Sequence, residues 1–573
     1  MRINTKKTRV AVLILIAIIA VGAIFTAATN DKRNFEIIKN LDIFYSVFRE
    51  INSYYVDEPV PQELIRTAID EMLSSLDPYT NYIPEEDMED FRFMTTGEYG
   101  GVGAIISMSD SCYIMVRELY KDFPADRAGL IPGDYIIEVA GKDVKNFKVS
   151  AVSELLRGEP GTEVKIKVLR PETDQILERT AKREKIQINP VSYYGMVNDE
   201  IGYITMSSFT QDCSKEVEKA FIDLRDNYGA KKMILDLRGN PGGLMDEAIK
   251  MVNLFVPRGS HVMSTKGRVS LYGKKYMAPR EPIDTIMPLA VLINRGSASA
   301  SEIVAGALQD LDRAVIIGRR SYGKGLVQGT REIEYNGALK LTTAKYYIPS
   351  GRCVQALDYS HRDSTGAVGY VPDSLISEFQ TKGGRKVYDG GGVSPDVHID
   401  AETFNNITLA LVSNDMIFRY AVKYRGKHAD APSVTDFSLT DDDYDDFCNF
   451  VGQAKNFTYK TRSNEQLKKL IAAAKADNYY DGNQELFDQL NVVLSPELQK
   501  DLRSERKQIQ ELIEEEILVS YHYANGATPY NFRTDGEIIS AVELLADDAR
   551  YNGLLDGTVA SHAGDKRKAN QSN

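Results

Sequence analysis

The chain has 573 residues, 43% hydrophobic and 26% charged, a composition that suits several folded domains and excludes wholesale disorder. Its formal net charge of −13 argues against a general nucleic-acid binder, which needs clustered Lys and Arg. The 4 cysteines stand far apart with no C-x-x-C pair, and the 6 histidines form no H-E-x-x-H, so neither a zinc site nor a disulfide scaffold is expected.

In chain order, Arg2, Lys6, Lys7 and Arg9 precede an apolar run from Val10 to about Thr29. That run is close to the ~20 residues that span a bilayer, and its basic flank predicts that the remainder is exported. Residues 1–33 therefore read as an N-terminal membrane anchor, with a cleaved signal segment as the competing reading. Apolar residues spaced by three and four predict helices over 34–75, and "LDPYTNYIP" breaks that pattern as a turn. Residues 34–93 form an N-terminal helical region.

From about Thr95 the texture changes to short β-like runs, "GVGAIIS", "CYIMVREL", "DYIIEVAG" and "EVKIKVLR", with one helix candidate, "SAVSELLRG". This is a β-rich module over 94–187. Residues 188–400 then alternate unbroken apolar strands ("KKMILDL", "LAVLIN", "AVIIG") with helices, which predicts an α/β unit with a mostly parallel sheet covered by helices. Residues 401–573 read as a helical, acidic extension with Thr440 as an N-cap and a disordered tail.

Three turns carry chemistry. In "NRGSASASEIVAGALQD", Ser299 opens a helix and Ser299-x-x-Glu302 fits a capping box; alternatively Ser299 is a nucleophile whose helix N-terminus stabilises an oxyanion. "GRRSYGKGLVQ" misses the phosphate-binding loop, because Gly325 stands where a Ser or Thr must follow Lys324. Lys324, in a Gly-flanked turn after the next strand, is then a candidate base for Ser299, with Tyr322 as an apolar wall. A base at neutral pH requires a buried lysine; the competing reading is a solvated surface lysine. Ser321-x-x-Lys324 also matches an S-x-x-K motif, but the accompanying K-T-G and S-D-N elements are missing. "DLRGNPGG" offers Gly242 and Gly243 as oxyanion donors or as an ordinary strand-to-helix connection.

The ordered set "YVDEP", "SLDPYTNYIP", "GEYGGVGAII", "PADRAGLIPGDYIIEVAGK", "LLRGEPGT", "DLRGNPGG", "GSASASEIVAGALQD", "YGKGLVQ", "YYIPSGR" and "GGVSPD" closely resembles the carboxyl-terminal processing, or tail-specific, serine proteases over roughly residues 50–400. The resemblance implies a crotonase-like (ClpP/crotonase-type) α/β core with an inserted PDZ domain. It implies a nucleophile at Ser299, a general base at Lys324 and a lysine-orienting Gln328 one helical turn beyond it. The oxyanion donors would be Ala300 N–H with Gly242 or Gly243 N–H, and Glu302 would support the site from behind. Peptide would bind at Tyr99, Gly100, Gly101, Val102, Gly103 and, less directly, Arg157.

The function implied is a serine endopeptidase that captures a free C-terminus and cleaves near it through an acyl-enzyme, with no cofactor and no metal. It would be extracytoplasmic, in a bacterial periplasm, and held at the inner membrane. The alternatives are a catalytically silent PDZ scaffold or pseudoprotease, and an acyl-coenzyme A enzyme of crotonase type. Residues 401–573 are left open between self-association, a gating cap, an adaptor surface and plain packing against the core.

Overall fold

The computed structural model describes residues 33–109, 113–171, 173–363, 365–455 and 457–564. Nearly all of the expected anchor segment, Cys112 and the last nine residues of the expected disordered tail lie outside them. Among the described residues no helix is long and apolar enough to cross a membrane. The described residues divide between two compact units, one ending at Tyr82 and one beginning at Ile83.

The first unit holds a helix over 33–54 and a second, Pro61–Ser74. Pro61 starts the second helix because its fixed φ and missing N–H cost nothing in the first turn. Phe35, Leu41 and Tyr45 of the first helix are exposed. In the "LDPYTNYIP" turn, Asp77 Oδ1 accepts the N–H groups of Tyr79 at 2.8 Å and Thr80 at 2.9 Å, a local cap that stops helix propagation.

The second unit opens with the β-rich module. Antiparallel strands run in the order Ala104–Met108, Ile114–Leu119, Tyr135–Val139, Glu163–Arg170 and Gln175–Lys182. Val164, Ile166 and Val168 alternate with Lys165 and Lys167, so every second side chain enters the core. The helix Val149–Leu156 closes that core with Val152 and Leu156. A separate ribbon pairs Glu98–Gly101 with Glu184–Gln187, joining the two ends of the module.

The central sheet has six strands in the order Val191–Met196, Ile201–Met206, Lys232–Asp236, Leu289–Ile293, Val315–Gly318 and Val397–His398. The first pair is antiparallel and the rest are parallel. Leu235, Val291 and Ile293 face the helices Cys213–Asp226, Met245–Phe255 and Ala300–Asp310. The alternate residues Ile234, Ala290 and Leu292 face the other way, against Ile538, Ala541, Leu544 and Tyr551 of the helices Gly536–Ala546 and Asp548–Asp556. The boundary expected at residue 400 thus divides one packed core. Apolar strands need a cover on both faces, and here the second cover comes from the far end of the chain.

A second correction concerns the strands after Lys324. Leu326–Glu332, Ala338–Tyr347, His261–Lys266 and Lys275–Met277 build a separate antiparallel sheet that the strand–helix alternation did not reveal. Beyond residue 400, helices from Asn406–Ser413 to Asp548–Asp556 dominate. Thr440 caps Asp441–Gln453, accepting the Asp443 N–H at 3.1 Å. This region grips the back of the β-rich module. Arg117 pairs with Asp415 at 2.8 Å and stacks 4.0 Å from the Phe418 ring, and the Tyr523 hydroxyl donates to Asp126 at 2.9 Å.

Candidate active site

The strand Leu289–Ile293 delivers the small-residue turn whose last member, Ser299, caps the wholly buried helix Ala300–Asp310. Ser299 holds φ 55° and ψ −109°, a backbone region that non-glycine residues rarely occupy and that persists only where neighbours impose it. Those neighbours are identifiable. Ala298 N–H and the Ser301 hydroxyl both donate to Asn240 O, at 3.0 and 2.9 Å. The Ser297 hydroxyl donates to Leu237 O at 2.8 Å, and the buried Tyr346 hydroxyl donates to Ser299 O at 3.2 Å.

Glu302 does more than complete a helix cap. Its fully buried carboxylate accepts Ser299 N–H at 2.8 Å and Lys324 N–H at 2.8 Å on Oε2. On Oε1 it accepts the Ser321 hydroxyl at 2.6 Å and Gly323 N–H at 2.7 Å. Burial raises this carboxyl from its ordinary value, against the opposing effect of all four donors. The Ser321 hydroxyl also accepts Val393 N–H at 2.7 Å, so the serine of the S-x-x-K pattern is taken up by loop architecture.

Lys324 is half-buried. Its flanking glycines are required by close approach: a Cβ on Gly323 would stand 2.4 Å from Ala356 Cβ, and one on Gly325 2.8 Å from Gln355 N. Gly325 N–H donates to Gln355 Oε1 at 2.7 Å. Tyr322, expected as an apolar wall, is 50% exposed; the tight loop turns it outward. Gln328 lies on the strand Leu326–Glu332, not one helical turn beyond Lys324, because antiparallel pairing with Ala338–Tyr347 takes the chain over at Leu326. Its Nε2 donates to Thr342 Oγ1 at 3.1 Å.

The "DLRGNPGG" turn packs against the Ser299 backbone. A Cβ on Gly242 would stand 2.6 Å from Ala298 O and 2.9 Å from both Ala300 N and Ser299 Cβ. Gly242 N–H is already given to Asn240 Oδ1 at 2.9 Å, and Asn240 Nδ2 ties the loop to Met206 O at 3.0 Å. Ala300, the first residue of its helix, has no intrahelical acceptor for its N–H. Asn240, Tyr346 and Gln355 had no sequence signal of their own; each makes a contact with a residue distant in the chain.

In the β-rich module, Gly100 and Gly101 belong to the ribbon with Lys185 and Glu184, and Val102 and Gly103 form the turn that follows. A cleft of about 200 Å³ opens beside the Ala104–Met108 strand, lined by Val102, Ile106, Leu156, Tyr99, Phe93 and Arg157 among others. Arg157 is ion-paired to Asp90 and lies 5.4 Å from the Tyr99 ring. Burial pushes the Tyr99 hydroxyl up from its ordinary range, against the pull of Arg157 and of a hydrogen bond with the Gly103 backbone.

A strained serine at the mouth of a buried helix, a glycine loop pressed against it and an apolar-lined cleft on a β module fit a serine-type peptidase with a PDZ domain. The sequence profile of peptidase family S41 matches residues 200–360, a PDZ profile matches 115–170, and the C-terminal helical domain of probable PDZ-proteases matches 407–545. The chain is 37% identical over 353 residues to a carboxy-terminal-processing protease of Bartonella bacilliformis, covering 61% of this chain and 77% of that one. It is 35% identical over 349 residues to a probable CtpA-like serine protease of Staphylococcus aureus, covering 60% and 68%. Among solved structures, a photosystem II D1 C-terminal processing protease is 27% identical, covering 62% of this chain and 92% of that one with a TM-score of 0.34. The chain belongs to the carboxyl-terminal processing serine proteases of family S41, which carry a PDZ domain.

Proposed function

We propose that this chain is an endopeptidase in which Ser299 and Lys324 form a catalytic dyad on a crotonase-like core, and in which the PDZ groove captures the free C-terminus of a protein substrate. The observation that carries the reading is the shared Glu302 oxygen. Two N–H groups 2.8 Å from one acceptor cannot be farther apart than twice that distance, so Ser299 and Lys324 are held side by side. In the reaction, the neutral Lys324 amine takes the Ser299 proton as Oγ attacks the carbonyl near the substrate tail. The oxyanion is received by Ala300 N–H and Gly243 N–H; Gly242 N–H is engaged by Asn240 and is set aside. The Lys324 ammonium returns the proton to the leaving amine, and water, activated by the same amine, hydrolyses the ester.

In the PDZ domain, a substrate C-terminus adds along the Ala104–Met108 strand, with its carboxylate at the Val102–Gly103 turn and its last side chain in the apolar cleft. Tethering the tail raises local substrate concentration at the dyad. Gln328 orients Lys324, and Arg157 links bound peptide to the core. The basic and apolar sequence of residues 1–33 supports placement outside the cytoplasm, anchored in the inner membrane of a bacterium.

The reading is tested with Ser299→Ala and Lys324→Ala proteins and a peptide ending in a free carboxylate. Both variants should keep the parent melting temperature and lose cleavage. Turnover retained in either removes that residue from the dyad.

A further inference from the structure

The C-terminal helical region reaches the catalytic loops through one charged cluster. Arg238 stands between the strand Lys232–Asp236 and the Gly239–Gly243 loop that faces Ser299. Its guanidinium lies 2.6 Å from Asp236 Oδ2, 2.7 Å from Asp535 Oδ2 and 2.6 Å from Glu537 Oε2. Arg319 is the first residue after the strand Val315–Gly318 and opens the loop that ends at Lys324. Its Nε donates to the other Glu537 oxygen, Oε1, at 3.1 Å. One carboxylate of the Gly536–Ala546 helix therefore holds the roots of two loops, one oxygen each. The helix N-terminus itself is fixed by Asp535, whose Oδ1 accepts Glu537 N–H at 2.9 Å and Ile538 N–H at 3.1 Å. The Tyr203 hydroxyl closes the cluster on Asp236 Oδ2 at 2.7 Å.

We propose that Glu537, with Asp535, is a positioning residue for proteolysis: from the C-terminal domain it sets the register of the oxyanion loop against the Lys324 loop. The inference rests on the Ser299–Lys324 reading. Anchoring the helix alone does not require these charges, because Ile538, Ala541, Leu544 and Leu545 already seat it on the sheet. The side chains of Glu537 and Arg238 are only 9% and 16% exposed. Ion pairs this far from water contribute little net stability over apolar contacts of the same size. What a bifurcated carboxylate supplies is geometry. Each loop root is held at a defined distance from the other, and errors of about 1 Å in catalytic geometry cost roughly 100-fold in rate.

The test compares Glu537→Ala, Glu537→Gln, Arg319→Ala and the Glu537→Ala/Arg319→Ala double variant in the full chain. It measures kcat and KM on a peptide with a free C-terminus and the melting temperature of each protein. The expected result is a kcat lowered roughly 10- to 100-fold with KM nearly unchanged, and a melting temperature lowered only modestly, because Arg238 keeps Asp236 and Asp535 as partners. The double variant should fall no further than Glu537→Ala alone, because both act on the same tie. Glu537→Gln keeps the volume and one acceptor and should lie between the parent and Glu537→Ala, which covers the case in which the alanine variant does not fold. An unchanged kcat, or a rate loss that tracks a falling melting temperature across the variants, overturns the proposal. Ser299→Ala is run in parallel: its inactivity beside a fully active Glu537→Ala overturns positioning and leaves the dyad standing, whereas an active Ser299→Ala overturns both.

Discussion

Ser299 and Lys324 donate their backbone N–H groups to the same oxygen of Glu302, each at 2.8 Å. The other oxygen receives the Ser321 hydroxyl and Gly323 N–H, so this buried side chain accepts from both segments that carry the proposed dyad and donates to neither. A carboxylate suits the position because all four contacts come from donors.

Glu302→Gln should therefore destabilise and inactivate together. The carboxamide NH2 would face two donors, leaving buried N–H or O–H groups without an acceptor, at about 1–3 kcal/mol each. We expect a melting temperature several degrees lower and a kcat reduced by at least about 100-fold, the latter from displacement of Lys324 relative to Ser299. A thermal melt beside steady-state kinetics checks both; a fully active variant would contradict the role of the shared oxygen.

Gly242→Ala should separate rate from folding. Its Cβ would press on Ala298 O, Ala300 N and Ser299 Cβ, and at φ 99° the backbone disfavours any side chain. The predicted outcome is a folded protein with kcat down by about 100-fold or more, because the Cβ would displace the Ala300 N–H proposed as an oxyanion donor. Rates within a few-fold of the parent would mean that the loop does not border the reacting carbonyl.

If the proposed dyad holds, the pH–rate profile should rise with pH along a single limb in kcat/KM, because a lysine base accepts the Ser299 proton only as the free amine. Lys324→Ala should abolish that limb together with the activity. A rate flat from about pH 5 to 9 would exclude an amine base.

Arg352→Met should act on stability away from Ser299 and Lys324. Arg352 Nη2 lies 2.8 Å from Asp310 Oδ1, an ionic contact, and donates to Gln309 Oε1 at 2.7 Å, pinning the far end of the Ala300–Asp310 helix. Both charges are buried, and removing one leaves the other uncompensated at about 3–5 kcal/mol. Calorimetry should show a melting temperature lower by about 3–5 °C for a cooperative unit of this size; a change under about 1 °C would mean the site relaxes around the loss.

Peptides that differ only at the terminus should separate on the PDZ domain. One ending in a carboxylate should bind more tightly than its amide, because backbone N–H groups at the Val102–Gly103 turn are the proposed receptor. Equal affinities by fluorescence polarisation would remove carboxylate capture from the reading.

Residues near in sequence announced themselves. The unbroken apolar runs at 232–236 and 289–293 foretold strands of a sheet covered by helices, the short run "EVKIKVLR" foretold a strand of the β-rich module, and the Ser299-x-x-Glu302 spacing foretold a helix start with an acid turned back on it. Those are properties of adjacent side chains, and hydrophobic periodicity records them directly. Gln328 shows where that record stops: four residues after Lys324 suits a helical turn or a strand face equally, and only pairing with Thr342 settles it as strand. That Glu302 would hold Lys324, that Asn240 would claim Gly242 N–H, and that residues 536–556 would roof the sheet begun at 191 were decided in three dimensions. A hydrogen bond between residues 22 apart or 299 apart leaves no period in the chain, because it depends on where the whole core brings two distant backbones to rest.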